Sequence, residues 1–295
     1  MTRISTAQLH DSAVAHLQRA SVAMARAQEQ AATNRRILRP SDDPVAFRQA
    51  VTLRDAIGEL EQYARNADVA DRITKVADDA IGTAADVLIR AKEIAIAASN
   101  SAVGAGERVA MAQEIEQIAK HLVGVANTKI GDAYLFSGLQ TLTAPYVEPG
   151  PGSATVGAYI GDAGTASIPV GGGGSVPISI NGASGFAQAF AGLAALHADL
   201  MANSIPSGAT FTALDAGFND AIALRGQIGA RQARVDLIRN ELADATTSAT
   251  ALLSTIEDAD MAETIVELTK RERSYQAAIN VTSKLIGRSL WDEVR

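Results

Sequence analysis

The segment MAETIVELTKRERSYQAAINVTSKLIG, residues 261–287, decides the fold. Along one seam of it the large apolar side chains are Met261, Ile265, Leu268, Tyr275, Ile279 and Ile286. With Glu272 and Thr282 they recur at alternating steps of four and three, the heptad seam of a helix that lies against other helices. So few large apolar residues do not offset the conformational entropy of ordering a helix this long. A lone helix in water is marginal in any case. The seam therefore needs a partner.

The nearest partner in the sequence is the N-terminal segment, residues 1–38. Ala7, His10, Val14, Leu17, Ser21, Met24, Gln28 and Ala31 follow 3-4 spacing, but only Val14, Leu17 and Met24 are large apolar residues. A pair built from two such helices still leaves apolar surface wet, and neighbouring copies of the chain would cover it. The assembly contacts expected are therefore Val14, Leu17 and Met24 with Met261, Ile265, Leu268, Tyr275, Ile279 and Ile286. Residues 1–35 and 260–295 are expected to stay largely unprotected in dilute monomer and to become helical on assembly. An ordinary intrachain core stripe is the competing reading of the same periodicity.

Working inward from both ends, the stretch NRRILRPSDDP, residues 34–44, stops the first helix. Pro40 disfavours helical geometry at Arg39. Ser41, Asp42, Asp43 and Pro44 form the next helix start, with Asp43 as N-cap and Pro44 at the first helical position. Val51, Leu53, Ile57 and Leu60 mark a second helix into the Arg65 region. Val69, Ile73, Val76, Ala80, Val87 and Ile94 mark a long one ending near Ser99. After a turn at residues 100–106, Val109, Ile115, Ile118, Leu122 and Val125 give its antiparallel neighbour. Helix resumes over residues 186–203 and again over residues 211–255.

Between them the composition changes. Residues 145–185 hold five of the eight prolines and the run Gly171 to Gly174. Short β-favouring pieces at residues 158–160 and 176–180 suggest a small, loop-rich β insert. The glycine run lacks the Lys-Ser/Thr and the following helix of a phosphate-binding loop. The fold class expected is mainly α with a small β insert (α+β), its long helices in coiled-coil-like terminal and central bundles. Three regions follow: 1–38 with 258–295 as a terminal assembly region, 39–143 with 186–257 as a central helical bundle, and 144–185 as a variable β-rich insert.

Composition narrows the function. The 295 residues are 47% apolar but only 4% aromatic, which suits thin, Ala-rich helices. A net charge of −7 disfavours nucleic acid or an anionic membrane as partner. The absence of cysteine removes disulfides, thiolate metal sites and cysteine nucleophiles. No stretch is long and apolar enough to span a membrane. The first residues lack the apolar core of a cleavable signal peptide.

Candidate chemistry is thin. Of the four histidines, His10, His16, His121 and His197, His10 and His16 are six apart and share no helix face closely, and solvated or capped histidine is favoured over a metal site. Ser184 sits in a glycine-flanked loop without a nucleophile elbow. Asp42 and Asp43 could form a carboxylate pair, but helix capping accounts for Asp43, and Asp258 and Asp260 suit a helix start. The run Lys270-Arg271-Glu272-Arg273 and the arginines Arg35, Arg36 and Arg39 read as solvated faces. No catalytic, cofactor or metal site is expected, and the chain is read as a non-enzyme.

These stretches carry a family resemblance. NRRILRPSDDP at 34–44 resembles the N-terminal motif of the flagellin superfamily, with Pro44 as in its hook-associated branch. Residues 127–145, with GDAYLFSG at 131–138, resemble a second motif of that branch. GARQARV at 229–235 resembles the superfamily's returning helix, and EDADMAE at 257–263 the opening of its C-terminal helix. SLWD at 289–292 is similar to the closing Ser-Leu-aromatic pattern of the branch that forms the hook–filament junction. The resemblance covers residues 1–143 and about 186–295 and leaves out the insert.

It implies a flagellin-like fold and a homo-oligomeric ring that sits on the first hook-associated protein and receives flagellin. It also implies a cytosolic export chaperone bound to the C-terminal helix, and type III export to the extracellular flagellum without signal cleavage. No cofactor, nucleic acid or membrane partner is implied. Flagellin itself is the alternative within the superfamily, and a coiled-coil signalling or regulatory protein the alternative outside it.

Overall fold

The computed structural model describes the backbone of residues 6–293 and the side chains of residue 8 and of residues 11–284. His10, Ile286 and the motif at 289–292 therefore have side chains outside the described residues. Along the chain run α1 (Thr6–Thr33), α2 (Pro44–Ala98), α3 (Ala105–Ala126), β1 (Lys129–Ile130), β2 (Ala133–Tyr134), β3 (Ser167–Gly171), β4 (Gly174–Pro177), α4 (Ala183–Met201), α5 (Gly208–Glu257) and α6 (Met261–Glu293). The protein is mainly helical with two small two-stranded antiparallel sheets, β1-β2 and β3-β4.

The residues fall into two compact units, Leu60–Asp244 and the pair Met1–Glu59 with Ala245–Arg295. We call the first the body and the second the terminal unit; α2 and α5 contribute to both.

The body carries the cores. Phe136, Phe186, Ile81, Leu88, Ile115, Leu122, Leu193 and Leu214 are fully buried among α2, α3, α4 and α5. Small residues let these helices approach closely. A Cβ on Gly217 would lie 2.4 Å from the Ala189 backbone, and one on Gly192 2.9 Å from the Leu214 amide nitrogen. Phe136, Tyr146, Phe186 and Phe190 form an aromatic cluster, with Phe136 edge-on to Phe186 at 5.1 Å. Burial pushes the Tyr146 phenol pKa up, so it stays neutral. Arg108, 4% exposed, ties the corner after α2 to the one after α4 by donating to the carbonyls of Ala98 at 2.9 Å and Ser204 at 2.7 Å.

A second, smaller core lies where the β3-β4 hairpin packs on α2 and α5, burying Ala67, Ala70, Val170, Val176, Val235 and Leu242. Gly171, Gly172 and Gly173 take positive φ at its turn, so the glycine run serves a tight hairpin.

Two local expectations are corrected. The second helix does not end near Arg65, because α2 is continuous from Pro44 to Ala98. No proline or glycine interrupts residues 59–81, and burial of Ala67 and Ala70 holds the turn between the two periodic stretches. Asn66 donates to the Pro169 carbonyl at 2.8 Å instead of competing for its own backbone. Residues 158–160 form no strand. Tyr159 anchors them through its hydroxyl, which donates to the Phe136 carbonyl at 2.9 Å.

Candidate assembly surface

The terminal unit starts from two helix stops. The Asp43 carboxylate accepts the amides of Val45 at 3.1 Å and Ala46 at 3.0 Å, closing the open start of α2. Asp42 turns the chain just before it, accepting the amides of Leu38 at 3.2 Å and Arg39 at 2.9 Å. Ser41 and Pro44 are exposed beside them. Asp260 does the same for α6, taking the Ala262 amide at 2.8 Å.

The two corners thus made lie side by side. Asn34, in the left-handed region at φ 54°, turns the chain so that its carbonyl accepts the Ala259 amide at 3.0 Å. The Arg36 amide donates to the Glu257 carbonyl at 2.7 Å, and the Arg36 guanidinium to the Ile256 carbonyl at 2.8 Å. Glu257, 4% exposed, receives both Arg35, at 3.2 Å, and Arg54. Arg39 pairs with Glu29 at 2.9 Å. The three arginines read from sequence as a solvated face thus hold the corner between the terminal helices. Glu257 opens the motif at 257–263, but its pairing is not legible in sequence, since Arg35 and Arg54 come from the other end of the chain.

From this corner α1 and α6 pack against each other. The packed row of α1 is Ala13, Leu17, Ala20, Met24 and Ala27, buried or half-buried at 4-3 spacing. It is offset by one residue from the row Val14, Ser21 and Gln28 at alternate positions; Val14 is half-buried and Gln28 exposed. On α6 the covered row is Thr264, Leu268, Tyr275, Ala278 and Thr282, with Thr282 7% exposed.

The apolar seam of α6 therefore divides. Leu268 and Tyr275 are half-covered, whereas Met261, Ile265 and Ile279 stand 49%, 53% and 40% exposed. The cause is geometric. The packed face of α1 is built largely from alanine, which admits one row of α6 and leaves the neighbouring row outside. Val22, Val266 and Val281 add further exposed apolar area. A shallow cleft of about 730 Å³ between the start of α2 and the end of α5 is lined by Val45, Thr52, Leu53, Leu252 and Ile256.

Chemistry has no comparable focus. Among the described residues no group of His, Asp and Glu is arranged to hold a metal ion, and no helix is long and apolar enough to cross a membrane. Fold and surface together define the class: a protein of long helices with an apolar row open to water.

The comparisons with known proteins give the family. Residues 4–141 match the family model for the bacterial flagellin N-terminal helical region, and residues 211–288 the one for the bacterial flagellin C-terminal helical region. Between them the two cover most of the chain, which belongs to the bacterial flagellin family, structural proteins of the flagellum. No curated protein matches in sequence. Among solved structures, the chain is similar to a protein described as a flagellar hook-associated protein from Vibrio parahaemolyticus, at 17% identity and a TM-score of 0.62, covering 74% of this chain and 100% of that one. Flagellar hook-associated protein-3 from Legionella pneumophila matches at 14% identity and 0.62, over 70% and 98%. FlgL from Bacillus cereus matches at 17% and 0.58, over 68% and 97%. At these identities the likeness is one of fold.

Proposed function

We propose that this chain is a subunit of the junction between flagellar hook and filament, and that the terminal unit is where copies meet. The observation that carries the reading is the divided seam of α6, with Met261, Ile265 and Ile279 left exposed beside the α1–α6 contact. Water on that row is unfavourable, and a neighbouring copy removes it. The solved structures of similar fold bear names from the hook-associated and junction group, which favours this role over flagellin itself.

In this reading the contact residues are Val14, Leu17, Met24, Met261, Ile265, Leu268, Tyr275, Ile279 and Ile286. Ser41, Asp42, Asp43 and Pro44 set the corner that aims them. Residues 1–38 with 258–295 form the inner assembly layer, 39–143 with 186–257 the second layer, and 144–185 the outer insert. Copies form a ring, seated on the first hook-associated protein and followed by flagellin. The chain reaches the flagellum by the type III route without signal cleavage, escorted by a chaperone on the C-terminal helix. It has no enzymatic step to perform.

Deletion of the gene tests the role. Electron microscopy should show hooks without filaments, with flagellin released into the medium. Normal filaments on the deletion strain would contradict it. If purified chain instead grew long filaments on flagellar seeds, it would be flagellin.

A further inference from the structure

Resting on the assembly reading, we propose that the groove between α1, the corner at residues 36–43 and α6 receives the acidic face of α2, at Asp55 and Glu59, from a second copy of this chain. The groove measures about 840 Å³ and presents Arg19, Arg26, Arg36 and Arg271 against three carboxylates. Those carboxylates are already engaged. Asp42 and Asp43 accept backbone amides of their own corner, and Glu267 holds Arg271 at 2.6 Å and Lys270 at 3.5 Å.

Of the four arginines only Arg271 is matched in this way. Among the described residues Arg26 forms no ion pair. Arg19 donates to the Ala15 carbonyl at 3.2 Å and Arg36 to the Ile256 carbonyl at 2.8 Å, and neither forms an ion pair among the described residues. Arg19, Val22 and Arg26 lie three and four residues apart on one face of α1, and Val22 is 55% exposed. The result is an apolar spot bracketed by two unneutralised guanidinium groups.

The complement is on α2. Asp55 and Glu59 are exposed and form no ion pair among the described residues. Four residues apart, they sit about 6 Å from each other along the helix, within the reach of two arginine arms. Val51, 38% exposed, precedes them on the same face. Gly58, with open space where a Cβ would stand, keeps that ridge narrow. Apolar contact and arginine–carboxylate pairing would form together, which fixes register as well as attraction. Because groove and ridge are different faces, the contact is heterologous and propagates from copy to copy into a ring or helix.

Charge reversal in the full chain tests this by sedimentation of the assembled form. R19E/R26E and D55K/E59K should each raise the concentration needed for assembly about tenfold or more. An equimolar mixture of the two should restore it, since each reversed groove then meets a reversed ridge. Because the chain lacks cysteine, R26C combined with D55C should also give a ladder of disulfide-linked copies on oxidation. Circular dichroism of each variant reports that the helices persist. Wild-type assembly that either reversed variant matches would overturn the groove and leave the assembly reading standing. So would a mixture of folded variants that fails to recover, or variants that lose binding to another flagellar protein while still self-associating. Failure of the wild-type chain to self-associate would overturn the assembly reading itself.

Discussion

The body of the chain buries Phe136, Phe186, Leu122 and Leu193 completely, whereas the terminal unit leaves Met261, Ile265 and Ile279 between 40% and 53% exposed. The side chains are equally apolar, so the difference lies in what surrounds them. In the body α2, α3, α4 and α5 enclose a volume, and an apolar residue on any of them finds neighbours on several sides. In the terminal unit the α1–α6 pair has one shared face, floored by Ala13, Ala20 and Ala27. Among its described residues the buried hydrophobics are Ala13, Ala27, Ala46, Ala50 and Ile37. One unit encloses its apolar side chains within the chain and the other leaves an apolar row open to water.

The largest effect that sharpens this contrast is expected at Phe186. Phe186→Ala empties a site packed against Phe136 and should cost about 3–5 kcal/mol in chemical denaturation of the body. A loss near zero would mean the body core is loose and the contrast false. Next comes Glu257→Ala, which leaves Arg35 and Arg54 without their shared carboxylate. Both arginines are more than a third exposed, so water takes over part of the pairing and the expected loss is about 1–2 kcal/mol. Limited proteolysis should show it as faster cutting at residues 34–44, with the body unchanged. Asp43→Ala removes a cap from α2 and should cost about 1 kcal/mol, read as an earlier thermal transition.

A smaller effect comes from acid. The Arg225 guanidinium beside Asp78, at 2.9 Å, holds the Asp78 carboxyl below its ordinary value. A depressed folded pKa gives stability that is full near neutral pH and is lost as the pH falls below about 4. Arg225→Ala should therefore weaken the body at pH 7 more than at pH 3, measured by urea unfolding at both. The smallest effect on the monomer is expected where the effect on assembly is greatest. Ile265→Ala, at a side chain 53% exposed, should change monomer stability by no more than about 0.5 kcal/mol while suppressing assembly. Equal destabilisation of the monomer by Ile265→Ala and Phe186→Ala would erase the distinction between the two units.

How much of this could be read from sequence depended on distance along the chain. The caps were legible because Asp43 and the amides it accepts lie within three residues, so type and spacing carry the signal. The seam of α6 was legible as a period but not as two rows. Which row is covered depends on the small residues of α1, more than 230 positions away, and the packed row there is offset by one from Val14 and Ser21. The clasp at Glu257 was invisible for the same reason: Arg54 stands 203 residues from it. In the insert, Val176 joins a strand and residues 158–160 do not, because Tyr159 is held by its hydroxyl and not by a ladder.

Hydrogen exchange on dilute full-length chain and on its assembled form compares the two units directly. The account predicts slow exchange across α3 and α4 in both states. Amides near Leu268 and Ile279 should exchange orders of magnitude faster in the monomer and slow down only on assembly. Amides there as protected in the dilute monomer as those around Leu122 would contradict it.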